Sequence, residues 1–221
     1  MKIALFDYGV GNIHSLRKAL EAHGARVVVT RDWDEALSAD GMVLPGVGAF
    51  SAAVDALPAD RSRIREALRE GLPCLGICLG MQILFDGSDE GPGEGIGVIP
   101  GRVRRVVAEI VPQMGWNTVE LADDPLFRGL DDLTAYYANS YVCEPADPSH
   151  AIAWSVHDGD HFAAAVRRFR TWGTQFHPEK SSAQGRRILR NFLEEVRAVE
   201  DLRPGAAPPG SGVESRAGGG A

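Results

Sequence analysis

The chain has 221 residues, 23 Lys and Arg against 30 Asp and Glu, and a formal net charge of −7. Hydrophobic residues make up 44 % and charged residues 24 %, the usage of an ordinary globular domain. A chain this long supports a core without disulfide or metal staples, and its acidic balance argues against a nucleic-acid binder, which carries a basic patch.

In chain order, the first half alternates strand and helix signals. Lys2–Asp7 is a short apolar strand, and Gly9–Asn12 is a loop. Asn12–His23 places Ile13, Leu16, Ala19 and Leu20 at helical spacing, with Gly24 as its stop. Arg26–Thr30 is a β-branched strand, Gly41–Pro45 another, and Gly46-Val47-Gly48 a tight loop. Ile64–Glu70 reads as a helix ended by Gly71; Leu72–Ile77 is a buried strand, and Leu79–Phe85 a helix. This βαβα order predicts a parallel sheet with helices on both faces.

The second half is richer in strands: Arg102–Val107, Thr118–Leu121, Thr134–Val142, Ala151–His157, Phe162–Arg167 and Thr171–Phe176. A last helix over Ala183–Arg197 lines up Ile188, Leu189, Phe192, Leu193 and Val196. The expected fold is a three-layer α/β domain, a mostly parallel sheet with helices on both faces and an antiparallel extension, over residues 1–202. In Arg203–Ala221, 13 of 19 residues are Gly, Ala or Pro, so a disordered tail is expected there.

Three cysteines, Cys74, Cys78 and Cys143, match neither a disulfide framework nor a common zinc spacing. A reducing cytoplasm is the expected compartment, with no metal or cofactor. Asp7 cuts the apolar N-terminus too short for a signal peptide, and no run approaches the roughly 18 apolar residues of a membrane span.

One stretch carries chemistry. Gly76-Ile77-Cys78-Leu79-Gly80 runs from a strand into a helix with the spacing of a nucleophile elbow. Such a turn is tight, so its flanks must lack side chains, and it lifts the sulfur above the sheet edge. A helix N-terminus behind it favours the thiolate. A buried packing cysteine is the other reading of Cys78, and the more natural one for Cys74 and Cys143.

A thiol nucleophile needs a base, and the base an orienting acceptor. Among six histidines, His177 stands in Gln175-Phe176-His177-Pro178-Glu179. Pro178 holds its predecessor extended, so His177 and Glu179 project to one side at the carboxyl end of a strand, where open α/β sheets bind ligands. The alternative is a solvated pair in a loop. For an oxyanion, the Leu79 N–H is one donor; Pro45-Gly46-Val47-Gly48 could supply another, or be an ordinary turn. Gln113-Met114-Gly115-Trp116-Asn117 reads as a turn, either lining the core or forming a contact surface. Gly9-Val10-Gly11 lacks the third glycine of a dinucleotide-binding loop.

The two motifs Gly76–Gln82 and Gln175–Ser181 resemble those of the class I (triad) glutamine amidotransferases. Asp7–Asn12, Pro45–Phe50, Val111–Asn117 and Asn139–Tyr141 are similar to the glutaminase branch that pairs with the cyclase subunit of imidazole glycerol phosphate synthase in histidine biosynthesis. The resemblance implies a Cys78, His177 and Glu179 triad that hydrolyses glutamine through a thioester, in a heterodimer whose joint activity includes a lyase step. It implies oxyanion donors at Val47 and Leu79 and glutamine contacts at Gly48, Gln82, Ser140 and Tyr141. It also implies an interface at Met114, Trp116, Asn117 and Lys180, facing a (β/α)8-barrel cyclase that receives the ammonia. The Gly46–Gly48 loop would stay unproductive until the partner binds its nucleotide substrate. No nucleic acid or membrane partner is implied.

Two positions depart from the pattern: Asn139 stands where many relatives have His, and Thr171-Trp172-Gly173 where Phe-Gly is commoner. The glutaminases of pyridoxal phosphate synthase and anthranilate synthase are alternatives, though they usually carry Gly-Gly where this chain has Gly46-Val47-Gly48. A catalytically silent partner-binding module is another, which an intact triad argues against.

Overall fold

The computed structural model describes residues 1–9, 13–46 and 48–202. Val47, part of the Gly9–Asn12 loop and the tail from Arg203 onward lie outside the described residues.

The first strands are β1 (Lys2–Phe6), β2 (Arg26–Thr30), β3 (Gly41–Leu44) and β4 (Cys74–Ile77). Between them run α1 (Ile13–Glu21), α2 (Trp33–Leu37), α3 (Phe50–Asp55) and α4 (Ser62–Arg69). After β4 come α5 (Leu79–Gln82), β5 (Gly87–Ser88), β6 (Gly101–Arg105), β7 (Gln113–Leu121), β8 (Leu133–Asn139) and β9 (Tyr141–Pro145). Strands β10 (Ala151–His157), β11 (Asp160–Arg168) and β12 (Thr171–Thr174) precede the long helix α6 (Ser182–Leu202).

The sheet order is β2-β1-β3-β4-β12-β11-β10-β7-β8, with β9 pairing β11 and β6, and β6 pairing β5. Pairs from β2 through β12 are parallel; from β12 outward through β11, β10, β7 and β8 they are antiparallel. Parallel strands require crossovers, and α1 through α4 supply them. Hairpins need only short turns, so the antiparallel half is nearly free of helices.

Strand alternation splits the core into two layers. Ile3, Leu5, Val43, Leu75 and Ile77 face α1 and α6, whose Leu16, Leu20, Ile188, Leu189, Phe192, Leu193 and Val196 are buried against them. Ala4, Phe6, Met42, Leu44 and Cys74 face Ala36, Phe50, Val54, Ile64 and Leu68 of α2, α3 and α4. Each fully buried large aliphatic or aromatic side chain contributes roughly 1.5–3 kcal/mol. The three-layer fold and its antiparallel extension are those expected.

Three local expectations need correction. Gln113–Asn117 is not a turn: it is the first half of β7, paired residue by residue with β8 from Gln113↔Asn139 to Val119↔Leu133. Thr134–Val142 is not one strand; it breaks at Ser140, where the chain leaves its pairing with β7 and joins β6. The helix after Cys78 is a single turn, α5, and the chain continues through Leu84 N–H to Met81 C=O (3.1 Å) and Phe85 N–H to Gln82 C=O (3.1 Å). The short helices α2 and α3 escape periodicity, which needs a longer window than five or six residues.

Candidate active site

The nucleophile elbow forms at the carboxyl end of β4. Cys78 has φ 52° and ψ −106°, outside the basins a side-chain-bearing residue prefers. Backbone packing holds it there. The Cys78 N–H donates to Thr174 C=O at 2.7 Å, anchoring the turn to β12. A Cβ at Gly80 would fall on the Leu44 carbonyl, and one at Gly46 on the Ile77 carbonyl and Leu79 nitrogen. Only bare glycine backbone allows the loop after β3 to lie this close to the elbow. As the first residue of α5, Leu79 has an N–H outside the helical ladder. One turn of helix carries little dipole, so the help expected from a helix N-terminus at Cys78 is small.

His177 is 1 % exposed. Its N–H donates to Tyr136 C=O at 2.8 Å, and its carbonyl accepts from Ser181 Oγ at 2.7 Å. Pro178–Lys180 form one 3₁₀ turn, which brings the Glu179 side chain back to the edge of the ring. Nδ1 of His177 and Oε1 of Glu179 are 2.8 Å apart. A tight turn, rather than the expected strand alternation, brings the two side chains together. Nε2 has no hydrogen-bond partner among the described residues. Burial pulls the imidazole toward neutrality; interaction with Cys78 and the carboxylate of Glu179 outweighs this and raises its pKa to about 9. In contrast, burial pushes the Cys74 and Cys143 thiols up, as suits packing residues.

A cavity of about 220 Å³ opens over Cys78, lined by Gly48, Leu79, Gln82, Glu90, Ala138, Asn139, Ser140 and Tyr141. That is smaller than a drug-sized site and suits a compact ligand. The structure therefore gathers Cys78, Leu79, Gly48, Gln82, Ser140 and Tyr141 around one space. Gln82 donates to Tyr141 C=O at 3.3 Å, and so does Asn139 Nδ2 at 3.1 Å. Val47 lies outside the described residues.

Glu90 was not singled out from the sequence. It lies in the Gly-rich stretch Gly87–Gly97, where Asp89 and Glu94 are equally plausible by type. Its Oε2 accepts from the Phe50 N–H at 3.0 Å, which ties the loop to the start of α3 and sets a carboxylate in the cavity wall.

The remaining residues lie on the outer face of β7 and its neighbours. Met114 and Trp116 alternate to the same side and are 67 % and 55 % exposed. The Trp116 ring meets Tyr136 edge-on at 6.1 Å, and Lys180 Nζ lies 5.5 Å from the Tyr136 ring centroid. Asn117 points elsewhere, bracing β7 by donating from Nδ2 to Val156 C=O at 2.8 Å. Among the described residues no helix is long and apolar enough to cross a membrane.

The chain matches the family model "Glutamine amidotransferase class-I" over residues 4–196. It is 44 % identical to the imidazole glycerol phosphate synthase subunit HisH of Synechococcus elongatus, covering 90 % of this chain and 95 % of that protein. Its identity to the HisH subunit of Gloeobacter violaceus is 48 %, over 87 % of this chain and 88 % of that protein. Among solved structures, a glutamine amidotransferase superposes with a TM-score of 0.70 at 18 % identity, covering 88 % of this chain and 98 % of that one. The glutaminase domain of Trypanosoma brucei CTPS, with bound acivicin, gives 0.63 at 17 %, over 90 % and 94 %. These two support the fold alone. By its family model and these relatives, the chain belongs to the class-I glutamine amidotransferases, within the family of the HisH subunits of imidazole glycerol phosphate synthase.

Proposed function

We propose that the chain is the glutaminase subunit of an imidazole glycerol phosphate synthase in histidine biosynthesis. It hydrolyses glutamine to glutamate and ammonia with Cys78, His177 and Glu179, and passes the ammonia to a cyclase subunit, which carries the lyase chemistry. The observation that supports this best is the 2.8 Å contact of His177 with Glu179, together with a positive-φ Cys78 under a small polar cavity.

Cys78 Sγ attacks the side-chain amide carbon of glutamine. The oxyanion takes N–H groups from Leu79 and Val47. His177, held protonated by Cys78 and Glu179, gives its Nε2 proton to the departing ammonia, and the C–N bond breaks to leave a thioester. Neutral His177 then removes a proton from water, which attacks the thioester; the thiolate leaves and glutamate forms. Gly48, Gln82, Ser140 and Tyr141 hold the glutamine, with the Glu90 carboxylate suited to its ammonium group. Met114, Trp116 and Lys180 belong to the cyclase-facing surface, while Asn117, turned to Val156, does not.

The test is glutamate release from glutamine by the chain alone, then with a cyclase subunit and its nucleotide substrate. Low activity alone and a large rise with both is the expected result. No release in either condition from folded protein overturns the reading.

A further inference from the structure

The amide of Gln175 has no role in the chemistry above, yet it touches the nucleophile. Strand β12 pairs in parallel with β4, Thr174 opposite Ile77, so the next residues of the two strands lie side by side. Gln175 is fully buried, and its Nε2 donates to Cys78 Sγ at 3.6 Å. Its Oε1 faces Gln82 Nε2 at 3.5 Å, and Gln82 in turn donates to Tyr141 C=O at 3.3 Å. Gln82 and Tyr141 both line the cavity. With Oε1 turned to Gln82, the donor end of the Gln175 amide faces the sulfur.

A neutral thiol is a weak acceptor; a thiolate is a strong one. An N–H aimed at sulfur therefore favours the ionised form. The bond is lost when sulfur becomes a thioester and returns when the thiolate leaves, so it also assists thioester breakdown.

We propose that Gln175 is a catalytic residue of this site: its buried side-chain amide donates to the Cys78 sulfur, stabilises the thiolate and orients it, while Gln82 fixes which end of the amide faces the sulfur. This rests on reading Cys78 as the nucleophile. Because Gln82 belongs to both the cavity and this chain of amides, substrate contact and nucleophile alignment share one side chain.

Gln175→Met keeps much of the volume and removes the amide donor. The rate of iodoacetamide alkylation at Cys78, located by peptide mass spectrometry, is measured at pH 7 without glutamine, beside thermal melting. A tenfold loss of thiolate is partly offset by higher intrinsic nucleophilicity, so alkylation should slow about threefold. Glutamine turnover should show kcat down about tenfold, with a smaller change in KM. If Gln175→Met does not fold, Gln175→Leu removes the same donor with a neutral side chain; slower alkylation than wild type upholds the role. Equal or faster alkylation in either folded variant, against a reactive wild type, overturns this proposal alone. A wild type that neither hydrolyses glutamine in the full complex nor alkylates faster than an ordinary free cysteine overturns the nucleophile reading and this proposal with it.

Discussion

Replacing Glu179 by Gln probes the proposed triad most directly. Burial alone would push the His177 imidazole toward its neutral form; Cys78 and Glu179 together raise its pKa from 6.5 to about 9. That rise corresponds to about 3 kcal/mol in favour of the imidazolium, at about 1.4 kcal/mol per pH unit. Glu179 at 2.8 Å is one of the two groups that raise it, so Glu179→Gln should lower the pKa of His177. The assay is the pH profile of kcat for glutamine hydrolysis in the complex. In the wild type the alkaline limb falls near pH 9 as the proton donor is lost; in the variant it moves to lower pH. The optimum rate drops by about 10²-fold or more, because the proton donor is weakened and less well aimed. Stability carries the same sign. A raised imidazole pKa contributes stability that is complete below 6.5 and lost as pH rises through about 9. Glu179→Gln should therefore lower Tm more at pH 6 than at pH 10. An alkaline limb at the same pH in both proteins refutes Glu179 as the group that keeps His177 charged.

Cys78→Ala should abolish glutamate release while leaving association with the cyclase intact, measured by size-exclusion chromatography; residual hydrolysis near the wild-type rate would dismiss Cys78. Glu90→Gln should raise KM for glutamine by about 10- to 100-fold, the worth of one charged hydrogen bond, with kcat changed far less; an unmoved KM removes Glu90 from the substrate site. Trp172 is fully buried, donates from Nε1 to Asp124 Oδ1 at 3.1 Å and lies under the Arg167 guanidinium, 4.9 Å from CZ to ring centroid. Trp172→Phe should cost about 1–3 kcal/mol, seen as a lower urea midpoint, while kcat stays within about twofold. An unchanged midpoint would show that the indole–carboxylate contact is not needed.

Much of the parallel half was legible in the chain because its signals are local. Apolar runs such as Lys2–Phe6 and Cys74–Ile77, and glycines where backbones touch, follow from nearest neighbours in sequence. The elbow was legible for the same reason: Gly76 and Gly80 bracket Cys78, and each has no room for a side chain. His177 and Glu179 could be paired because only one residue separates them.

The antiparallel half was read less well, since its strands are defined by partners far along the chain. Gln113–Asn117 looks like a turn in isolation, with a glycine at φ 122° in its middle, and becomes a strand only because β8 pairs with all of it. Ser140 shows no break in the local pattern; the chain changes partner there because β6 is waiting beside β9. By itself the sequence determined the fold class, the tight turn at Cys78 and the nearness of His177 to Glu179, because these rest on short spacings and on backbone sterics. Only the tertiary structure decided that Glu90 shares the cavity with Cys78 and that Gln175, rather than a long helix dipole, addresses the sulfur: those contacts join segments whose proximity is set by sheet register.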